Sequence, residues 1–166
     1  MERTLVVIKP DGVERNHIGK IIDYYEKNGL RVTRMEMRNL SKDFVSKHYP
    51  ENKDWMINLG KKGEKAGEKV DDYYKYGKFV VETLRHYLSK GPVVAMIVEG
   101  ENAISEVRRI TGYTDPASAD KGTIRGDLGE DSILKANREK RSVYNLVHAS
   151  GNAAEAEAEI KLWFEK

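Results

Sequence analysis

The chain has 166 residues, 39% hydrophobic and 34% charged, long enough to bury a core of its own and read here as one domain over 1–166. Its 29 basic and 27 acidic residues leave a net charge of +2, which excludes the broad cationic footprint of a dedicated nucleic-acid binder. Zero cysteines exclude disulfides, thiolate zinc sites and cysteine nucleophiles, and fit a reducing, cytoplasmic setting.

In chain order, TLVVI (4–8) is a β-branched run stopped by the KPDG turn, which predicts a buried strand. Ile18, Ile21, Ile22 and Tyr25 recur at helical spacing, with Gly29 as a stop. LRVTRMEMRNL (30–40) alternates as a half-buried strand with a phase break near Thr33 that predicts a bulge. Ser41 opens a short helix through Tyr49. Residues 50–78 hold seven basic and six acidic residues with little periodicity, the pattern of a solvated, partly helical insertion. No G-x-x-x-x-G-K-[ST] can be registered on its GKKGEKAGEK, so a phosphate loop of that kind is excluded.

Regular structure returns with a helix over 79–88, ended by Gly91-Pro92, and an apolar strand, VVAMIVEG, at 93–100. The VVAMIV run within it, at 93–98, is the longest apolar stretch and is strand-sized, so neither a signal peptide nor a membrane span is read. A helix over 101–112 leads to a turn-rich loop at 113–127, then to a second charged insertion at 128–142. VYNLV (143–147) predicts the last strand and 152–165 the last helix, with Asn152 as N-cap and Glu155 three residues on. Alternating strands and helices taken alone suggest a parallel, doubly wound sheet.

The four histidines include no two at metal-ligand spacing on one element, which argues against zinc. A lone histidine at a strand end is more often structural than catalytic, yet three features favour chemistry at His148. Ala149, Ser150 and Gly151 leave room beside the ring, the following helix turns its positive end toward this corner, and Glu159 is placed to orient an imidazole nitrogen. A neutral imidazole is also a nucleophile needing no separate base. Lys9, Arg108 and Arg125 sit at strand or helix ends. Each alone reads as a surface charge; converging on a histidine, they suit an oligophosphate with a transferable terminal group.

TLVVIKPDGV, GPVVAMIVEG, TGYTDPASADKGTIRGD, NLVHAS and EIKLWF, in that order, resemble the nucleoside diphosphate kinase family, in an archaeal-like form with two insertions near 50–78 and 128–142. The resemblance implies an α+β, ferredoxin-like α/β sandwich with a four-stranded antiparallel sheet and added helices, in place of the parallel sheet. It implies ping-pong transfer of the γ-phosphoryl of a nucleoside triphosphate to a nucleoside diphosphate through a phosphohistidine, with Mg²⁺ held mainly by the substrate phosphates. His148 matches the nucleophile, Lys9 and Tyr49 the groups at the γ-phosphate, and Arg108 and Arg125 the phosphate-binding arginines. Thr114 matches the β-phosphate contact, Asn145 the sugar-side contact, and Ser150 and Glu159 the pair that orients the histidine. The implied assembly is a homo-oligomer, a hexamer or tetramer of dimers, with no membrane and no dedicated nucleic-acid partner.

Two departures stand out. Gly151 replaces the family's aspartate, leaving Asn152 to cap the helix. The family's base-stacking phenylalanine falls on Val80, with Phe79 beside it and Leu84 at the second base contact; Phe79 and Val80 stay open as alternatives. The rival reading is a non-catalytic nucleotide-binding regulatory module on the same fold. Such a module is expected to lack His148, Lys9, Arg108, Arg125 or Asn145, and all five are present.

Overall fold

The fold is built outward from β1 (Glu2–Ile8), which in the computed structural model, describing residues 1–165, occupies an inner place in the sheet. β3 (Val93–Gly100) runs antiparallel to it from Glu2↔Gly100 to Ile8↔Val94. β2 (Arg31–Arg38) pairs antiparallel with the far side of β3, and β4 (Val147–Ala149) with the far side of β1. The order β2-β3-β1-β4 is therefore antiparallel at every junction. This corrects the parallel arrangement suggested by alternation alone. Strand–helix–strand alternation is shared by the split βαβ unit, in which another strand separates the two that a helix connects.

Both inner strands are apolar on two faces because helices cover both. Leu5 and Val7 join Val93, Ala95 and Ile97 in one core, under α3 (Lys42–His48), α4 (Lys53–Lys65), α5 (Tyr73–Leu88) and α9 (Ala153–Phe164). Val6 and Ile8 join Val94, Met96 and Val98 in the other, under α2 (Ile18–Lys27) and α6 (Ala103–Thr111). The bulge expected near Thr33 is present, as a register shift between Val32 and Arg34. Gly29, at φ +79°, takes the left-handed position just past α2. The remaining helices are short: α1 (Pro10–Glu14), α7 (Ile124–Leu128) and α8 (Ile133–Arg138), with a 3₁₀ turn at Pro116–Ser118.

Two stretches differ from the sequence expectation. The last strand begins at Val147, not Val143. Leu146 turns to φ +70°, its N–H donating to Asp11 Oδ2 at 3.1 Å and its carbonyl accepting from Lys9 N–H at 2.8 Å. Those bonds take residues 145–146 out of the sheet ladder. The first insertion is an ordered helical hairpin, with α5 starting at Tyr73 and Met56 fully buried on α4. Glycines let its helices touch: a Cβ on Gly77 would lie 1.8 Å from the Met56 carbonyl oxygen, and one on Gly60 2.5 Å from Tyr73 Cα. The second insertion is held by a bidentate pair, Arg141 to Asp131 at 2.7 and 3.1 Å, and Asp131 also accepts the Tyr144 N–H.

Candidate active site

His148 lies opposite Val7 in the β1–β4 pairing, on the sheet face that α9 covers. Glu159, two turns into α9, meets the ring with its oxygens 3.0 and 3.1 Å from Nε2. Ser150 Oγ donates to the same carboxylate at 2.6 Å. Burial alone would raise the Glu159 pKa, but the His148 and His48 rings and the Ser150 hydroxyl outweigh it and hold it at about 2. Glu159 is thus an acceptor at neutral pH. Nε2 must donate, and the free lone pair of a neutral ring resides on Nδ1.

His48 packs edge-on to His148, ring centroids 4.5 Å apart at 81°. Its Nδ1 accepts the Trp163 indole N–H at 3.1 Å. Burial, then the neighbouring His148, pushes its pKa down to about 3, so it stays neutral. The ligating atoms of His48, His148 and Glu159 lie within 4.8 Å of one another, a grouping that spacing on single elements could not reveal. Trp163 occupies one member and Ser150 shares another. Glu159 holds His148 by hydrogen bond, and His48, itself bonded to Trp163, packs against the His148 ring.

The cations come from four elements. Lys9, just past β1, is buried, and its Nζ donates to Asn145 Oδ1 at 2.9 Å. Burial, reinforced by Arg125, lowers its pKa to about 8. Asn145 Nδ2 in turn donates to the Thr114 carbonyl at 3.0 Å. Arg125 on α7 donates to the carbonyls of Asn145, Gly112 and Val147, bracing the turn before β4 while burial lowers its pKa to about 10. Arg108, in the last turn of α6, lines the same cleft. The fourth is Lys62 from α4, whose Nζ donates to Thr114 Oγ1 at 3.1 Å. Among the described residues none of these four forms a salt bridge.

The cleft they line has a volume of about 760 Å³, within the size range of small-molecule sites. Tyr49 forms one wall. Its ring stands 5.9 Å from His148 and stacks on Trp55 at 5.7 Å, and Arg85 grips its carbonyl at 2.7 and 2.9 Å. Burial raises the Tyr49 pKa, so its phenol stays protonated. Val80 and Leu84 face the cleft; Phe79 does not and is exposed. Every other site residue named from the sequence lies in or against the cleft, Ser150 through Glu159. Sequence pattern alone does not single out Asp11, His48, Trp55 or Lys62. The KPDG and KHY segments carried the first two, whereas Trp55 and Lys62 sat in a stretch read as solvated.

A carboxylate-clamped imidazole with a free Nδ1, facing across a nucleotide-sized cleft cations that form no salt bridge among the described residues, is the equipment of an enzyme that passes a phosphoryl group through histidine. The family model described as nucleoside diphosphate kinase matches residues 2–57 and 51–166. A Pyrobaculum aerophilum nucleoside diphosphate kinase is 38% identical over 99% of this chain and 95% of its own length, and the crystal structure of an NDP kinase from that organism superposes at a TM-score of 0.92 over 98% and 95% of the two chains. One from Clostridium perfringens is 39% identical over 100% and 93%. A Borrelia burgdorferi nucleoside diphosphate kinase, solved as a transition-state mimic with vanadate and ADP, superposes at 0.83 with 32% identity over 98% and 86%. The chain belongs to the nucleoside diphosphate kinase family. Among the described residues no helix is long and apolar enough to cross a membrane.

Proposed function

We propose that the chain acts as one kinase domain, in the cytoplasm and as a homo-oligomer, with His148 carrying a phosphoryl group between nucleotides. The observation that carries this reading is the Glu159–Nε2 contact, which leaves Nδ1 as the ring's only lone pair. That lone pair attacks the γ-phosphorus of a nucleoside triphosphate. The bond from phosphorus to the β–γ bridging oxygen breaks, and its electron pair leaves with the nucleoside diphosphate. No proton has to be removed from the ring, because Nε2 keeps its hydrogen and Glu159 stabilises the imidazolium that forms. A second nucleoside diphosphate reverses the steps, its terminal oxygen displacing Nδ1.

Lys9 and Tyr49 flank the transferred group, Arg108, Arg125 and Thr114 hold the remaining phosphates, and Asn145 contacts the sugar side. Positioning and charge neutralisation supply most of the acceleration in phosphoryl transfer. Val80 and Leu84 offer the base an apolar wall in place of an aromatic stack, while Phe79 stands outside it.

Glu155 and Glu159 are the acids lining the cleft among the described residues, and both are engaged, Glu155 by Gly151 N–H and Asn152, Glu159 by His148 and Ser150. The phosphate side is lined by cations. This donor set suits Mg²⁺ carried by phosphate oxygens and water, with no carboxylate cage. When bound, the ion neutralises phosphate charge. An outer β2 edge with exposed Met35 and Met37 supports assembly into a hexamer or tetramer of dimers.

A non-catalytic module is not favoured, because none of the groups it should lack is missing. Incubation with γ-labelled ATP is expected to give an acid-labile, base-stable label that chases onto any added nucleoside diphosphate. Failure of the intact protein to take label rejects the activity; label persisting in His148→Ala rejects the residue.

A further inference from the structure

Lys62 is a cationic group of the cleft that the family motifs do not account for, and among the described residues it is the one whose ammonium bonds a residue matched to a phosphate contact, Thr114. It sits on α4, within the first insertion, and its Nζ reaches across the cleft to Thr114 Oγ1. The reach is built rather than incidental. Gly63, the next residue, lies so close to Tyr76 that a Cβ there would be 2.5 Å from the ring, and Gly77 lets α5 lie against the Met56 backbone. One turn further on, Lys65 Nζ stands 5.2 Å over the Tyr113 ring. Two lysines of one helix thus fasten the hairpin to the 113–114 loop.

Burial lowers the Lys62 pKa, and Arg108 and Arg125 lower it further, while among the described residues it has no acidic partner. A tie between helix and loop could be made by any hydrogen-bonding side chain. A half-buried ammonium under the repulsion of two guanidinium groups, with no salt-bridge partner among the described residues, is disfavoured until an anion joins them. An anion received between Thr114 Oγ1 and the Lys62 Nζ would supply that charge.

We propose that Lys62 binds the β-phosphate of the nucleotide from the Thr114 side, so that the inserted hairpin makes the cleft select nucleotides with at least two phosphates. This rests on the nucleotide reading above. One ammonium–phosphate contact replaces the Thr114 contact or is shared with it, and no covalent step is added.

The test is calorimetric binding of ADP and AMP to the full chain and to Lys62→Met, Lys62→Gln and Lys62→Arg, at one magnesium concentration. Loss of a charge-assisted contact is expected to raise the ADP Kd roughly 10- to 100-fold in the Met and Gln variants. The AMP Kd should stay within about twofold, and Arg should keep most of the ADP affinity. The dependence of log Kd for ADP on log salt should also flatten in Met and Gln. Unchanged AMP binding reports an intact fold in the same experiment. An unchanged ADP Kd, or equal losses for ADP and AMP, overturns the proposal while leaving His148 labelling untouched. A parent protein that neither binds ADP nor takes label from ATP overturns the nucleotide reading, and this proposal with it.

Discussion

At the scale of single residues, the proposed transfer depends on which imidazole nitrogen carries the proton, and Glu159 decides that. The carboxylate accepts from both Nε2 and Ser150, leaving Nδ1 bare. Glu159→Gln keeps the shape but brings an amide N–H that can face Nε2 and favour the tautomer with hydrogen on Nδ1. Phosphorylation of His148 by ATP is therefore expected to slow by roughly 10²- to 10⁴-fold, the scale seen when a catalytic histidine loses its orienting carboxylate. Quench-flow with labelled ATP measures it; a change below about threefold would falsify the orienting role. Most of this site was legible because its residues lie in short contiguous motifs, NLVHAS and GTIRGD among them. His48 and Asp11 leave no such local trace because their roles exist only across the fold, the one packed on a ring a hundred residues away, the other clamping the backbone of Leu146.

At the scale of elements, legibility followed how far local pattern and tertiary contact agreed. β3 is readable as an unbroken apolar run because helices cover both its faces, and the bulge in β2 because a register shift breaks the period of two. α4 is not. Gly60 and Gly63 each cost a helix about 1 kcal/mol relative to Ala, so its propensity is poor, and its stability comes from lying against α5, where a larger residue would not fit. The run 143–147 misleads for the opposite reason, since Leu146 fills a core from an irregular turn while Tyr144 is exposed. The start of α9 was read correctly in spite of Gly151. Asn152 Oδ1 accepts the Glu155 N–H at 3.0 Å, and the Glu155 carboxylate returns to the Gly151 N–H at 2.8 Å and to Asn152 Nδ2 at 3.0 Å. Asn152→Ala should lower stability by about 1 kcal/mol, the usual worth of an N-cap, and leave the rate of His148 labelling within about twofold. A large loss of rate at unchanged melting temperature would show that the cap acts on the chemistry instead.

At the scale of the whole molecule, the cleft is a concentration of positive charge in a chain of nearly balanced composition. Lys9, Lys62, Arg108 and Arg125 line it without acidic partners among the described residues, so the fold carries a repulsion that a bound polyphosphate relieves. ADP at about one hundred times its Kd should stabilise the folded state by about 2.7 kcal/mol, which for a chain of this size raises Tm by roughly 5–10 °C. Adenosine, lacking phosphates, should give a much smaller rise. Lys9 gives this stabilisation a pH dependence. Its folded pKa is about 8, below the ordinary 10.5, so between those values the unfolded chain binds the extra proton and the ligand-free protein gains stability from this group as pH rises. An anion favours the charged lysine and restores its proton, so ADP binding takes up protons in the same window and weakens as pH climbs past about 8. The Tm increment from ADP should therefore be full below pH 7 and shrink steadily toward pH 10, and Lys9→Arg, whose guanidinium keeps its charge there, should flatten that decline. Differential scanning fluorimetry across pH, with ADP and adenosine in parallel, reads both effects. An increment that grows with pH, or equal protection by adenosine, would remove the buried cations from the account of why this fold holds a nucleotide.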